Sequence, residues 1–172
     1  MKWVRAMQLN LAKILDQPGA ELPFSLQLEL HDLEFGGQTP VTEPVYAEGI
    51  IRNTAGVLLL SGTLRTTLHC VCDRCATPFV RDYSLPLEAV LVTELQNEQD
   101  ADEWVFVLEN DAVDLDEIVT TTLVLNMDSQ LLCREDCKGL CSRCGKNLNE
   151  GPCSCKKEID PRLAVLAQLL EK

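Results

Sequence analysis

The sequence predicts an α+β fold: a mainly antiparallel sheet domain over residues 1–132, then a cysteine-rich tail and a C-terminal amphipathic helix within residues 133–172. Three observations predict it. Apolar and polar residues alternate over long stretches at the period of two that half-buried strands show. Six of the nine cysteines fall between positions 133 and 155. The final stretch, from Asp160 onward, carries apolar side chains at helical spacing.

The opening residues, MKWVRAMQLNLAKIL, hold apolar side chains, but Gln8, Asn10 and Lys13 interrupt any apolar run and no small-x-small cleavage site follows. They are read as mature protein rather than a targeting segment. A short apolar stretch at 9–15 ends at Pro18-Gly19. Phe24, Leu26, Leu28 and Leu30 then alternate as a strand, closed by Gly36-Gly37.

Residues 41–52 and 57–70 read as two strands joined around Asn53-Thr54-Ala55-Gly56, a composition that favours a turn. In the second, Leu58, Leu60, Leu64, Leu68 and Cys70 share one face, while Ser61, Thr63, Arg65, Thr67 and His69 take the other. One face is therefore buried and one wet. Phe79, Tyr83, Leu85, Leu87, Ala89 and Leu91 continue the alternation, so residues 57–92 form a long hairpin whose tip lies at 71–78.

An acidic loop follows at 94–103, and Trp104, Phe106 and Leu108 alternate as a short strand. Asp114-Leu115-Asp116-Glu117 has the pattern of a capping box: Asp114 takes an orphan amide and Glu117 reaches back. Leu115, Ile118, Val119 and Thr122 then face inward, although the β-branched run 119–122 works against a helix. Near the end, Asp160-Pro161 is a helix start, with aspartate as cap and proline at the first helical position. The stripe of Leu163, Leu166, Ala167 and Leu170 is expected to dock on the chain's own sheet first, with a partner as the alternative.

The tail reads C-x3-C-x3-C-x2-C-x8-C-x-C. Cys141 and Cys144 are spaced so that one tight turn supplies two thiolates, and Gly145 lets the backbone turn back. Cys153 and Cys155, one residue apart, leave the same side of an extended chain. These four are the expected ligands of one structural Zn2+, with Cys133 and Cys137 as alternates for Cys153 and Cys155. Iron–sulfur ligation and disulfide pairing compete with zinc. Bound structural zinc is worth roughly 10–16 kcal/mol, the largest single favourable contribution open to a stretch whose main apolar residues are Leu140 and Leu148.

A second C-x2-C, Cys72 and Cys75 flanking Asp73 and Arg74, sits at the hairpin tip. Three readings are open: small residues shaping a turn, half of a metal site, or a redox pair. A hairpin tip lacks the helix dipole that activates a thiolate, so a thiol pKa near the ordinary ~8.5 is expected and no catalytic role is assigned. His69 is close enough in sequence to ligate, but at the wet end of a strand it is read as solvated.

The formal charge is −12, and residues 82–132 hold 13 acidic and no basic side chains. That stretch repels a polyanion such as RNA, while the tail, with its basic excess, tolerates one. No run of 18 apolar residues exists to span a membrane. With an odd cysteine count and no export signal, a reducing cytoplasm is the expected setting, where clustered cysteines mean metal or redox chemistry.

Taken together, Cys72-Asp73-Arg74-Cys75 on a hairpin, the Asp114-Leu115-Asp116-Glu117 helix entry, the run LCREDCKGLC at 132–141, Cys144-Gly145, Asn147-Leu148-Asn149 and Asp160-Pro161-Arg162 resemble the bacterial YceD family of large ribosomal RNA subunit accumulation proteins. The resemblance spans nearly the whole chain. It implies a cytoplasmic protein needed for normal accumulation of large-subunit ribosomal RNA, with no established catalytic activity. By position, Cys72, Arg74 and Cys75 match the family's hairpin motif, and the tail cysteines match members with a cysteine-rich end. Ala76 stands where the family often has leucine, and His69 and Cys70 lie outside its pattern.

Two functions follow as expectations. One is a non-enzymatic assembly factor whose zinc tail is a docking knob, working with ribosome-assembly components; residues 82–128 then either form a solvated face that keeps the protein soluble or dock a basic ribosomal protein rather than RNA, with direct RNA contact left open. The other is a thiol redox or metal-dependent enzyme using Cys72 and Cys75. Against the enzyme, the sequence holds no H-E-x-x-H, phosphate loop or G-x-S-x-G. A catalytic zinc also keeps a fourth position open, and surplus cysteines here would fill it.

Overall fold

The computed structural model describes residues 7–94 and 104–155. The acidic loop beyond residue 94 and the C-terminal stripe of Leu163, Leu166, Ala167 and Leu170, with its Asp160-Pro161 start, lie outside the described residues.

The chain runs through β1 (Gln8–Asn10), α1 (Ala12–Leu15), β2 (Glu21–Leu28), β3 (Val45–Thr54), β4 (Val57–Val71), β5 (Pro78–Val92), β6 (Val105–Val107), β7 (Ala112–Asp114) and α2 (Leu115–Asn126). Five strands form one sheet in the order β2-β3-β4-β5-β6, and β1 pairs with β7 in a separate ribbon. Sequential strands from β2 to β5 pair antiparallel. The last strand, β6, lies parallel to β5. A parallel neighbour needs a connection of about a dozen residues, and residues 93–104 supply that length.

The long hairpin is as the alternation predicts, with Leu58 opposite Leu91 and Val71 opposite Pro78. Leu58, Leu60, Leu64, Leu68 and Cys70 are all buried, and Leu87, Ala89 and Leu91 meet them from β5. The turn between β3 and β4 is tighter than the four-residue composition suggests. Thr54 pairs with Val57, and Ala55 and Gly56 have φ of 54° and 95°, the two-residue loop whose positive φ values match the twist of paired strands. Asn53 is thereby drawn inside. Its Nδ2 donates to the carbonyls of Ile14 and Leu15 at 2.7 Å each, and its Oδ1 accepts from Gly56 N, tying α1 to the sheet.

Across the middle of the sheet Phe24, Gly49 and Gly62 lie in register. The strands approach so closely there that a Cβ on Gly62 would stand 2.3 Å from Glu48 O. Glycine is required at this point by contact, not by φ.

Helix α2 packs against β5 and buries Leu115, Ile118, Val119, Thr122 and Leu123. Burial of Val119 and Thr122 explains how the β-branched run is accommodated: packing outweighs an intrinsic penalty of less than about 1 kcal/mol per residue. Asp114 caps the helix, its Oδ1 accepting from Asp116 N at 2.9 Å and Glu117 N at 3.2 Å. The neighbouring Asp116 does not reach back to the cap but ties the helix start to the amino-terminal segment, its Oδ2 accepting from Met7 N at 3.2 Å. Among the described residues no helix is long and apolar enough to cross a membrane.

Candidate metal centre

β4 and β5 extend as a two-stranded arm to the tip, where Cys72 N donates to Thr77 O at 3.0 Å and Ala76 N to Cys72 O at 2.8 Å. Ala76 takes φ 53° to close the turn. In the tail, Cys141 N donates to Lys146 O at 2.8 Å and Gly145 N to Cys141 O at 2.9 Å, with Gly145 at φ 70°. Both C-x-R-C segments therefore fold into the same turn, which aims two sulfurs to one side.

Each turn meets a second cysteine pair. Cys72, Cys75, Cys133 and Cys137 form one tetrad, and Cys141, Cys144, Cys153 and Cys155 another, with the sulfurs of each set all within 4.8 Å of one another. The Cys72–Cys137 and Cys75–Cys133 sulfurs are 3.7 Å apart, and the Cys141–Cys153 pair 3.4 Å. A metal with bonds of about 2.3 Å to four thiolates sets tetrahedral edges of about 3.8 Å. A disulfide would require about 2.05 Å, and all nine cysteines are free. Both tetrads fit a four-thiolate metal site.

The tetrads differ in exposure. Cys72, Cys75 and Cys137 are buried and Cys133 is half-buried, whereas in the second set Cys144 is exposed and the rest are half-buried. The ninth thiol, Cys70, lies in the sheet core, where burial pushes its pKa up.

Electrostatics follow from the turns. Burial works against ionisation of Cys72, yet hydrogen bonds from the backbone amides of Cys133, Cys75 and Arg74 outweigh it and bring its pKa down to about 6. This corrects the expectation of an ordinary thiol, because converging amides at a tight turn do what a helix terminus does elsewhere. The amides of Cys144 and Arg143 likewise bring Cys141 down to about 6. Cys137 is lowered first by the side-chain amide of Asn149, whose Nδ2 lies 3.3 Å from the sulfur. Conversely, burial and hydrogen bonds with Cys72, Cys75 and Cys137 push Cys133 up to about 12. A hydrogen bond with Cys144, then burial, push Cys155 up to about 12 as well. Each tetrad thus forms its first thiolate readily and resists becoming a set of four without a cation to neutralise them. A closed four-thiolate site would supply folding energy and no open coordination position.

Around the tip, side chains fasten the tail to the arm. Asp73 Oδ2 accepts from Leu131 N at 2.6 Å, and Asp73 N donates to Leu131 O at 2.9 Å. Arg74 Nη1 donates to Cys137 O at 3.3 Å, and Arg74 O accepts from Leu140 N at 3.0 Å. Gly139, at φ 72°, passes so close that an added Cβ would sit 2.9 Å from Arg74 O. Asn149 Oδ1 accepts from Lys138 N and Arg134 Nη2, which folds the tail back on itself. Asn147 Nδ2 donates to Thr77 Oγ1 at 3.3 Å.

The structure thus places the expected tail set together, and it groups the alternates Cys133 and Cys137 with Cys72 and Cys75 rather than with Cys141 and Cys144. Arg74 holds a tetrad carbonyl. His69 faces Glu43 at 3.0 Å and joins neither tetrad. Sequence reasoning assigned no role to Asp73, Gly139 and Asn149; the repeat of C-x-R-C in two places was a signal from which matching turns could have been read.

Comparison with known proteins gives the family. The family model described as large ribosomal RNA subunit accumulation protein YceD matches residues 60–170. An uncharacterized protein of Mycobacterium tuberculosis is 26% identical over 95% of this chain and 81% of its own length. A chloroplastic maize protein named as a large ribosomal RNA subunit accumulation protein YCED homolog is 28% identical over 72% of this chain, which spans 52% of it. No solved structure matches. With the match running from β4 through both cysteine tetrads and covering more than half of the sequence, the chain belongs to the YceD family.

Proposed function

We propose that this chain is a non-enzymatic ribosome-biogenesis factor that supports accumulation of large-subunit ribosomal RNA in the cytoplasm, its tail held by one structural zinc through Cys141, Cys144, Cys153 and Cys155. The observation that carries the reading is the family match, which covers the hairpin and the whole cysteine tail. The name of the maize relative points the same way. Two features support a binding role over a catalytic one: four thiols per tetrad leave no open coordination position, and Cys72, Cys75 and Arg74 are engaged within the tip.

The partner in this reading is a ribosome-assembly component, a basic ribosomal protein in particular. Residues 82–128 carry 13 acidic and no basic side chains. A one-signed surface speeds encounter with an oppositely charged partner about 10- to 1,000-fold and repels RNA.

The test is to remove the gene from its host and measure the ratio of large- to small-subunit ribosomal RNA. The ratio falls and is restored by the wild-type chain; an unchanged ratio refutes the role. In the same cells, affinity capture before and after RNase identifies the partner. Replacing Glu98, Asp100, Asp102 and Glu103 by their amides slows association with it, and association at the parent rate rules out acidic docking.

A further inference from the structure

We propose that Cys72, Cys75, Cys133 and Cys137 hold a second zinc ion, in a buried site that clips the tip of the β4–β5 arm to the segment following α2. The inference is independent of what the protein does in ribosome assembly.

The geometry carries it in three steps. First, the hairpin tip has the turn of the tail knuckle, with the fifth residue donating to the first cysteine's carbonyl and the first cysteine donating to the sixth residue's carbonyl. Its left-handed position is filled by Ala76 at φ 53° rather than by glycine. An L-residue in that conformation costs about 1–2 kcal/mol, so something at the tip has to hold it there.

Second, that something is not apolar packing. The cluster at the tip consists of Cys72, Cys75 and Cys137, with Phe79, Leu132 and Cys133 partly buried against it. Such a patch is small beside the main core, yet it organises contacts between residues 58 and 65 positions apart. Ordering costs about 1–2 kcal/mol per residue, and a structural zinc at roughly 10–16 kcal/mol is a contribution of the right size.

Third, the donor set selects the metal. Four sulfurs within 4.8 Å of one another, two of whose edges measure 3.7 Å, match a tetrahedral four-thiolate zinc site, with edges of about 3.8 Å. Two side chains steady a ligand from outside: Arg74 Nη1 donates to the Cys137 carbonyl and Asn149 Nδ2 to the Cys137 sulfur, in the way outer partners orient ligands at metal centres. Binding forms four thiolate-to-zinc bonds, releases the protons of the neutral thiols and transfers no electrons.

The two sites then differ in lability. Cys144 is exposed and Cys72, Cys75 and Cys137 are buried, so a chelator reaches the tail zinc first.

The experiment uses the full chain, purified from zinc-supplemented culture, with elemental analysis and titration of the metal-free protein with Co2+ followed by thiolate-to-cobalt absorbance. Wild type holds two zinc ions per chain, one for each tetrad, and the cobalt signal rises to two equivalents. Cys72→Ser and Cys141→Ser each hold one, and Cys70→Ala keeps both. With a chromogenic chelator, zinc leaves wild type in a fast and a slow phase, and Cys141→Ser lacks the fast one. Saturation of wild type at one equivalent that Cys141→Ser no longer binds overturns the proposal. So do retention of both ions by Cys72→Ser, loss of the slow phase in Cys141→Ser, or iron–sulfur absorbance in the native protein. Because wild type and Cys141→Ser both keep the four tip cysteines and decide the matter between them, a Cys72→Ser chain that fails to fold leaves the test intact.

Discussion

Gly139→Ala tests whether the tail is fastened to the hairpin tip by backbone contact. Gly139 has φ 72° and Gly145 has φ 70°, so alanine at either position meets the same left-handed penalty of about 1–2 kcal/mol. Their surroundings differ. An added Cβ at Gly139 lies 2.9 Å from Arg74 O, whereas at Gly145 it meets nothing within 4 Å. Arg74 O also accepts from Leu140 N at 3.0 Å, so moving it away weakens a hydrogen bond worth about 0.5–1.5 kcal/mol. Gly139→Ala is expected to destabilise the junction by about 2–3 kcal/mol in total, which raises its open fraction roughly 30- to 150-fold. Gly145→Ala costs the conformational part alone and loosens the knuckle without loosening the junction. Amide hydrogen exchange distinguishes the two, since it reports local opening. In Gly139→Ala the amides of Leu140 and Asp73, bonded to Arg74 O and Leu131 O, exchange faster while those of β4 do not. Wild-type exchange at Leu140 and Asp73 refutes the reasoning, as does equal loosening of them by Gly145→Ala.

Two further perturbations probe the sheet. Asn53→Ala removes three hydrogen bonds; the Leu15 carbonyl and Gly56 N lose the partner shown here, while Ile14 O keeps Gln17 N. At about 0.5–1.5 kcal/mol each, a loss of about 2–4 kcal/mol is expected, visible as a lower urea midpoint at unchanged slope; a loss under about 0.5 kcal/mol means water replaces the side chain at no cost. Gly62→Ala forces a methyl to within 2.3 Å of Glu48 O and 2.9 Å of Gly49 Cα, both backbone atoms that cannot rotate away. An overpacking cost of about 1–3 kcal/mol lowers the melting temperature by about 2–12 °C in a chain this size, and an unchanged melting temperature shows that the sheet flexes there freely.

Much of the fold was legible because the β4–β5 hairpin alternates over fifteen residues per strand, and a slip of one residue would turn Leu58, Leu60, Leu64 and Leu68 out to solvent. The entry to α2 was legible for a local reason as well: Asp114 bonds amides two and three residues on. Where reading the chain fell short, the cause was distance. The parallel pairing of β6 with β5 depends on where a connection returns, which no local pattern records. Asn53 looked like a turn residue and became a buried tie, because its partners Ile14 and Leu15 lie in a helix 39 and 38 residues earlier.

The cysteines divide along the same line. Residue spacing alone pointed to a turn at Cys141 and Cys144 presenting two thiols, which rests on hydrogen bonds within six consecutive residues, while at Cys72 and Cys75 it left three readings open. Which pairs complete a tetrad was decided by tertiary structure. Cys153 and Cys155 reach Cys141 and Cys144 across a short local loop, while Cys133 and Cys137 meet Cys72 and Cys75 only because the β4–β5 arm and the segment after α2 bring their ends together. Six tail thiols satisfy many sets of four on chemistry alone. The sheet selects among them, because a metal site needs its sulfurs within a few ångströms at once, and that is a property of the fold and not of the order of residues.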